Sequence, residues 1–265
     1  MTGASAGHRR LLEQQEIWRR KPALRAIYES WFDLLLESLS AGARVLEAGA
    51  GPGFLAAHAR KRRPDLKWVS SDILPVPWND VAADALRLPL APASVDAIVG
   101  LDFIHHLARP GDFFSEAARV LRRGGSVAVV EPWVTPLSSV VYGLFHEERF
   151  ERRCSPWRPF GDRAKEAFEG NNALVWALAQ RPEEEWHTLG LAAPRVRLLN
   201  SFGYLLSMGF SRMSLLPGPA LPALQRLDDA ARRLSSWTAL RAHLVWEVRD
   251  ALRGPATRVP SPATP

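Results

Sequence analysis

With 265 residues, of which 47% are hydrophobic and 23% charged, the chain can bury the core of one α/β domain with an added cap, which excludes general disorder. Its net charge of +6 comes mainly from arginines in scattered pairs. Such pairs are typical of solvated helix faces and argue against a nucleic-acid binder with a clustered basic stripe.

Cysteine content and hydrophobic runs narrow the class of protein further. A single cysteine, Cys154, excludes an internal disulfide framework and any multi-cysteine zinc or iron–sulfur site. No run approaches the about 18 uninterrupted apolar residues of a membrane span, and no signal-peptide-like stretch follows Arg9-Arg10. We therefore expect a cytoplasmic protein, as a monomer or a homodimer.

The first predicted elements are two helices. Apolar residues recur at helical spacing from about residue 8 to residue 39, and Pro22 interrupts the pattern. We expect two consecutive helices that lead into the core, and we interpret residues 1–42 as a lid over the substrate site.

From residue 44 onward, short apolar runs alternate with helical stretches. The predicted strands are Arg44–Ala48, Leu66–Ser70, a weak Val81–Ala83, Val95–Gly100, Ser126–Glu131, Arg195–Ser201 and Ala242–Arg249. The predicted helices are Phe54–Lys61, Asp112–Leu121 and one near Ala220–Leu234, with Gly124-Gly125 as the C-cap and turn after the second. This alternation predicts a doubly wound sheet with helices on both faces.

One region departs from the strand-helix rhythm. Residues from about 132 to 190 are rich in aromatic side chains, and we interpret them as a cap inserted into a domain that spans residues 43–253. Residues 254–265, rich in proline, threonine and serine, are predicted to form a flexible tail.

A glycine-rich turn follows the first strand, in the run Glu47-Ala-Gly49-Ala-Gly51-Pro-Gly53. Turns of this kind let a ligand approach the backbone closely. The fingerprint of nicotinamide dinucleotide binding requires its third glycine at position 54, which is occupied by Phe54. In addition, Glu47 would repel a pyrophosphate. S-adenosylmethionine carries an ammonium and a sulfonium and no phosphate, so an acidic residue at this strand end suits it better.

Two further acidic residues follow in the order that such a cofactor requires. Asp72 ends the second strand about 20 residues beyond the turn, where a carboxylate can accept hydrogen bonds from ribose hydroxyls. Ile73 would then lie against the adenine face, and Asp84 could accept a hydrogen bond from the adenine amino group. Each acid taken alone is more often a helix cap or a surface charge, so the prediction depends on all three together.

These motifs, from about residue 43 to residue 131, resemble the core of the class I, UbiE-like methyltransferase family. Further matches are Asp84–Pro89, Val95–Val99 and Arg119–Gly125. The resemblance implies a Rossmann-like, seven-stranded sheet whose last strand is antiparallel, with S-adenosylmethionine as the cofactor. The run Trp68–Asp72 lacks the glycine usual before the ribose acid. The predicted cofactor-binding residues are Glu47, Gly49, Ala50, Gly51, Gly53, Asp72, Ile73, Asp84, Ala85 and Leu101.

Two adjacent histidines follow the fourth strand, where the methyl group of the cofactor lies in this fold. His106, or failing it His105, is the predicted general base, because the pKa of histidine suits proton removal from a hydroxyl. In similar sugar and natural-product O-methyltransferases a paired histidine is thought to serve in this way. Glu131, which ends the fifth strand, would orient a histidine or contact the substrate hydroxyl, unless it only caps a helix. The alternative is that both histidines only pack and hydrogen-bond.

The acceptor is the part of the function that the sequence predicts least. Aromatic residues in the cap favour O-methylation of an apolar or aromatic small molecule, such as a polyketide, a quinone-like or a lipid-linked compound. Alternatives are carbon or nitrogen methylation without a base, an RNA-binding methyltransferase-like module, and peripheral docking of residues 221–246 on anionic membranes. His146-Glu147-Glu148 lacks further spaced ligands, so no metal is predicted.

Overall fold

The computed structural model describes residues 3–145, 148–160, 166–216 and 218–249, which excludes the predicted tail at 254–265. Seven strands form one sheet. They are β1 (Arg44–Ala48), β2 (Lys67–Asp72), β3 (Val81–Ala82), β4 (Val95–Leu101), β5 (Leu121–Pro132), β6 (Arg195–Leu199) and β7 (Arg241–Glu247).

The helices lie before, between and beside these strands. They are α1 (Gly3–Arg20), α2 (Pro22–Glu37), α3 (Phe54–Arg62), α4 (Pro110–Val120), α5 (Pro136–Phe145), α6 (Leu174–Ala179), α7 (Glu183–Thr188), α8 (Phe202–Ser207), α9 (Leu221–Ala230) and α10 (Ser235–Thr238). Short 3-10 turns add Ile104–His106, Gly218–Ala220 and Ala231–Leu234. No helix within the described residues is long and apolar enough to cross a membrane.

The strand order is β3-β2-β1-β4-β5-β7-β6. Strands β1 to β5 pair in parallel, whereas β7 runs antiparallel to both β5 and β6. The predicted Rossmann-like fold with an antiparallel last strand is therefore confirmed. The chain reverses its direction of travel across the sheet between β1 and β4, and ligands bind at such a switch point, beyond the carboxyl ends of the strands.

Helices cover both faces of the sheet because the central strands are apolar on both sides. On one face, α2 and α3 pack over β1, and the buried residues of α2 recur at the helical spacing seen in the sequence. On the other face, Phe113 and Phe114 of α4 pack with Trp186 of α7 and Trp246 of β7. Within residues 132–190, α6 and α7 thus lie on the sheet, whereas parts of 141–172 face a cavity.

The prediction that Gly124-Gly125 caps the fourth helix is wrong. Helix α4 ends at Val120, and β5 begins at once, because Leu121 is buried and pairs with Val95. The register shifts after this pair, and a Cβ at Gly125 would lie 2.8 Å from the Arg122 carbonyl oxygen. The glycines therefore allow a β-bulge within β5. Other predicted bounds differ by a few residues; β2, for example, ends at Asp72 and β6 at Leu199.

Several arginine pairs of the sequence contact acidic partners on separate surfaces. The ion pairs in question are Arg19 and Arg20 with Glu16, Arg62 with Asp33, Arg63 with Asp65, Arg122 with Asp96, and Arg232 with Asp229. These pairs neutralise part of the positive charge locally, as expected for solvated helix faces.

Candidate active site

A cavity of about 1040 Å³ opens at the carboxyl ends of β1, β2 and β4. Its remaining walls come from α1, the connection after β5, and the region around α8. Nine of the ten predicted cofactor-binding residues line it, namely Glu47, Gly49, Ala50, Gly51, Asp72, Ile73, Asp84, Ala85 and Leu101. The strand ends therefore bring the predicted residues to one place.

The three glycines of the turn all have positive φ, but they have different neighbours. A Cβ at Gly49 would lie 2.4 Å from the Phe103 side chain, and one at Gly53 would lie 2.9 Å from Trp78. A Cβ at Gly51 would meet nothing closer than Leu11, at 3.7 Å, and would project into the cavity space. Gly51 is therefore the glycine whose missing side chain leaves room for a ligand.

Two carboxylates, the buried Glu47 and the partly buried Asp72, border the space beside Gly51. Glu47 is 2% exposed and accepts a hydrogen bond from the Trp68 indole at 2.9 Å, and burial raises its pKa to about 8. Asp72 accepts hydrogen bonds from the backbone N–H groups of Gly51 and Leu74, each at 2.8 Å, and burial raises its pKa as well. Because burial disfavours both carboxylates in their charged form, a cationic ligand would relieve the cost of ionising them.

The predicted adenine contacts lie on the outer side of this space. Ile73 is 59% exposed although it is apolar, and it faces the cavity. The Asp84 carboxylate accepts a hydrogen bond from the Leu86 backbone N–H at 2.9 Å, and Asp84 also lines the cavity. An apolar side chain beside a carboxylate is the arrangement that a purine ring with an amino group requires.

Helix α1 lies against the glycine turn. Leu11 is buried beside Gly51, and the Gln15 amide donates a hydrogen bond to the Pro52 carbonyl at 2.9 Å. The His8 ring packs edge-on against Trp78, with ring centroids 5.4 Å apart. A ligand in the turn would therefore be covered on one side by the N-terminal helix.

The predicted catalytic pair stands on the 3-10 turn after β4. His105 is buried, and its Nδ1 lies 2.6 Å from the Glu131 carboxylate, which also accepts hydrogen bonds from the backbone N–H groups of Phe103 and Ile104. Burial would lower the pKa of His105, but the carboxylates of Glu131 and Glu148 outweigh it and raise the pKa to about 10. Glu131 therefore orients His105, and His105 is held as an imidazolium.

His106 has a different environment. Its Nδ1 lies 2.9 Å from the Glu169 carbonyl oxygen. A carbonyl only accepts, so Nδ1 carries the proton and the lone pair of the neutral ring is on Nε2. Burial and the charge of His105 lower the pKa of His106 to about 4. We expected a histidine pKa near the ordinary value. The structure instead indicates two different pKa values, because burial and the adjacent carboxylates shift those of His105 and His106 in opposite directions.

Glu148 is the side chain that sequence reasoning did not place in the catalytic cluster. Its carboxylate lies 3.3 Å from His105 Nε2 and 4.0 Å from His106 Nε2. In the sequence, Glu148 belongs to the run His146-Glu147-Glu148, from which no metal site is predicted. His146 and Glu147 lie outside the described residues. Glu148 comes from the connection after β5, and no spacing rule links it to the histidines, so only the fold shows the contact.

An ion pair between the partly buried Asp102 and the buried Arg241 forms a further wall of the cavity. Arg241 is 3% exposed, and its guanidinium lies over the Tyr204 ring at 4.6 Å and the Trp31 ring at 5.0 Å from the ring centroids. The predicted last strand began at Ala242 and so left Arg241 out of the sheet. The signal for a functional role of Arg241 was a charged residue directly before an apolar strand.

Comparison with known proteins agrees with this geometry. Residues 46–129 match the methyltransferase domain family. The matched segment contains the glycine turn, Glu47, Asp72 and the histidine pair. This chain carries a class I S-adenosylmethionine-dependent methyltransferase domain. The cofactor of this domain is S-adenosylmethionine, and Glu47, Gly51 and Asp72 line the cavity.

Related methyltransferases share this domain over part of their length. An uncharacterized methyltransferase of Mycobacterium sp. (strain KMS) is 29% identical over 53% of this chain and 63% of its own length. A ubiquinone/menaquinone biosynthesis C-methyltransferase UbiE of Dinoroseobacter shibae is 29% identical over 40% of this chain and 49% of its own length. The chain thus spans less than two thirds of these relatives.

A solved structure shows the same fold at low sequence identity. The S-adenosylmethionine-dependent methyltransferase from Archaeoglobus fulgidus aligns with a TM-score of 0.51 and 14% identity, covering 84% of this chain and 94% of that one. Its similarity extends beyond the matched domain, to most of the sheet and its helices.

Proposed function

We propose that this protein transfers the methyl group of S-adenosylmethionine to a hydroxyl oxygen of a small apolar or aromatic acceptor, in small-molecule biosynthesis in the cytoplasm. The observation that carries the proposal is the single cavity in which the glycine turn and the histidine pair meet. We call the part formed by Glu47, Gly51, Asp72, Ile73 and Asp84 the cofactor end. The part formed by Asp102, His105, His106, Glu148 and Arg241 is the acceptor end.

The cofactor end would hold the donor by charge and shape. Glu47 would attract the ammonium group, and Asp72 would accept hydrogen bonds from the ribose. Gly51 leaves space for the methionine chain. The cofactor supplies an electrophilic methyl group on a sulfonium. The remaining task of the protein is to align the acceptor oxygen with that methyl group and to take up its proton.

The acceptor end would bind an apolar or aromatic ring. Aromatic side chains line the cavity, namely Tyr28, Tyr142, Phe168, Tyr204 and Phe210, and among them Tyr204 lies against Arg241 of the acceptor end. The nearby charges are already paired, since Asp102 contacts Arg241 and His105 contacts Glu131. An uncharged acceptor with one reactive hydroxyl suits such surroundings better than a strongly charged one.

Within this cluster, His106 is the proposed proton acceptor. Its ring is neutral at physiological pH, its lone pair is on Nε2, and the Glu148 carboxylate at 4.0 Å would stabilise the imidazolium that forms. His105 is a positioning residue, because Glu131 holds it charged and it packs on His106 with ring centroids 4.1 Å apart.

Replacing His106 tests this role. His106→Ala should lower kcat by roughly 10²–10⁴-fold, because general-base catalysis typically contributes that much. Turnover is measured as transfer of tritiated methyl from S-adenosylmethionine to a panel of phenols and quinols, with cofactor affinity measured by calorimetry. The control is His187→Ala, whose histidine pairs with Glu183 on the surface of α7.

The two readouts separate the alternatives. Cofactor affinity should stay within a few-fold in both variants, and turnover should fall only in His106→Ala. If His106→Ala keeps near-normal turnover on a true acceptor, no base is needed at this site. Carbon or nitrogen methylation then becomes the better proposal, in line with the name of the UbiE relative. Loss of cofactor binding would mean that His106 is structural.

A further inference from the structure

The histidine pair and Glu148 converge in a way that proton transfer alone does not require. One ligand-capable atom from each of His105, His106 and Glu148 lies within 4.8 Å of the other two. We propose that these three side chains form a binding site for a divalent transition metal ion of the zinc class. Two imidazoles and one carboxylate are a donor set that zinc uses with a further open position.

The outer nitrogens of both histidines are fixed as they are in metal sites. Each Nδ1 has its own acceptor, the Glu131 carboxylate for His105 and the Glu169 carbonyl oxygen for His106. Histidine ligands of metals almost always donate their second ring N–H to such a carboxylate or carbonyl, which directs the remaining nitrogen to the ion. Both Nε2 atoms are thereby left on the side of Glu148.

The distances between the inner atoms suit a small ion. Glu148 lies 3.3 Å from His105 Nε2 and 4.0 Å from His106 Nε2. Zinc–ligand bonds of about 2.0–2.2 Å place neighbouring ligand atoms about 3.3–3.5 Å apart, so the longer contact needs to shorten by about 0.5 Å. The ion would replace the proton between His105 and Glu148 and keep one coordination position toward the cavity.

The wall behind the cluster lacks a side chain. A Cβ at Gly170 would lie 2.8 Å from His105 Cδ2, 2.9 Å from His106 Nδ1 and 3.0 Å from the Glu148 carboxylate. This glycine lets its backbone approach all three side chains at once and holds them together. Two carboxylates, Glu131 and Glu148, border the two imidazoles, which balances the charge of a dication better than that of a proton.

One consequence rests on the proposed function. The ion would use the Nε2 lone pair of His106, so metal binding and proton uptake by His106 exclude each other. Zinc should therefore inhibit methyl transfer, and a chelator should restore it. Metal binding itself does not depend on the proposed reaction, so it is measured separately.

The test is a calorimetric titration of the full chain, freed of metal with a chelator, with Zn²⁺, and a parallel titration with Co²⁺ followed by its visible absorption. Wild type should bind one ion. Glu148→Gln should lose it, and Glu131→Gln should bind about 10–100-fold more weakly because it acts through His105. His187→Ala, which removes the surface histidine–glutamate pair of α7, should bind as wild type does.

Failure has a distinct signature. The metal proposal is overturned if wild type binds no ion, or if Glu148→Gln binds as tightly as wild type. Unchanged S-adenosylmethionine binding in Glu148→Gln shows that the variant is folded. If one ion binds but zinc leaves turnover unchanged, the metal site stands and the proposed role of His106 as a base fails.

Discussion

The cofactor end takes its side chains from one stretch, residues 47–84, whereas the acceptor end joins residues from stretches as distant as 102, 148 and 241. Their electrostatics differ as well. Glu47 is buried and Asp72 partly buried, and burial raises the pKa of both. Burial raises the pKa of Asp102 as well, but Asp102 and His105 each contact a partner of opposite charge. One end is thus prepared for a cationic ligand, and the other compensates its own charges and suits a neutral one.

The largest effect is expected from filling the cofactor end. Gly51→Val should weaken S-adenosylmethionine binding at least about 100-fold, because the side chain would occupy the ligand space and each 1.4 kcal/mol costs tenfold in affinity. Calorimetry measures the affinity. The control is Gly42→Val. Gly42 also has a positive φ, 70° against 49° for Gly51, but nothing lies within 4 Å of its Cβ, so this variant reports backbone strain alone. Equal affinities in both variants would refute the assignment of Gly51.

The acceptor end should respond to loss of charge compensation. Arg241→Met leaves the partly buried Asp102 without its partner and should lower the free energy of unfolding by about 3 kcal/mol, the lower end of the range for fully buried pairs. The double variant with Asp102→Asn should recover more than half of this, as urea unfolding would show. Arg232→Met breaks an exposed pair with Asp229 and should cost less than about 1 kcal/mol. If Arg241→Met leaves the free energy of unfolding unchanged, the ion pair does not compensate the charge of Asp102.

The cofactor end should instead gain stability when its acid is removed. The pKa of Glu47 is about 8 in the folded protein, above its ordinary value of 4.5, because the fold favours the protonated carboxyl. This contribution to the free energy of unfolding is complete below about pH 4.5 and is lost as the pH rises toward 8. Without cofactor, Glu47→Gln should therefore exceed wild type in thermal stability at pH 8.

The gain of Glu47→Gln should grow from pH 5 to pH 8 by at most about 1.4 kcal/mol per pH unit. Thermal unfolding at several pH values measures it, with the exposed Glu184→Gln as the control. A gain that is equal at pH 5 and pH 8 would contradict the raised pKa. The same variant should bind S-adenosylmethionine more weakly, because it lacks the charge that attracts the ammonium group.

The smallest expected signal concerns nucleic acid. The arginine pairs contact acidic partners on separate surfaces, so filter binding with RNA at near-physiological salt should give no saturable complex. Submicromolar affinity with a steep salt dependence would favour the RNA-binding alternative. It would also mean that the acceptor end serves a polynucleotide.

The same contrast explains what the sequence could predict. Glu47 and Asp72 lie at the carboxyl ends of β1 and β2, and Gly51 follows β1. The carboxyl ends of parallel strands meet at one edge, so the cofactor end could be predicted from local patterns. The contacts of His105 with Glu148 and of Asp102 with Arg241 depend on how a long connection folds back over the sheet. Local periodicity contains no such information, and the opposite pKa shifts of His105 and His106 depend on those contacts.

The most direct test of the central claim is a pair of calorimetric titrations of wild type, one with S-adenosylhomocysteine, the demethylated product of the donor, and one with NAD⁺. The carboxylates of Glu47 and Asp72 and the space at Gly51 predict one saturable site for S-adenosylhomocysteine and no binding of NAD⁺, whose pyrophosphate would lie beside two carboxylates instead of the cation that it requires. Tight binding of NAD⁺ together with no binding of S-adenosylhomocysteine would contradict the assignment of the cavity.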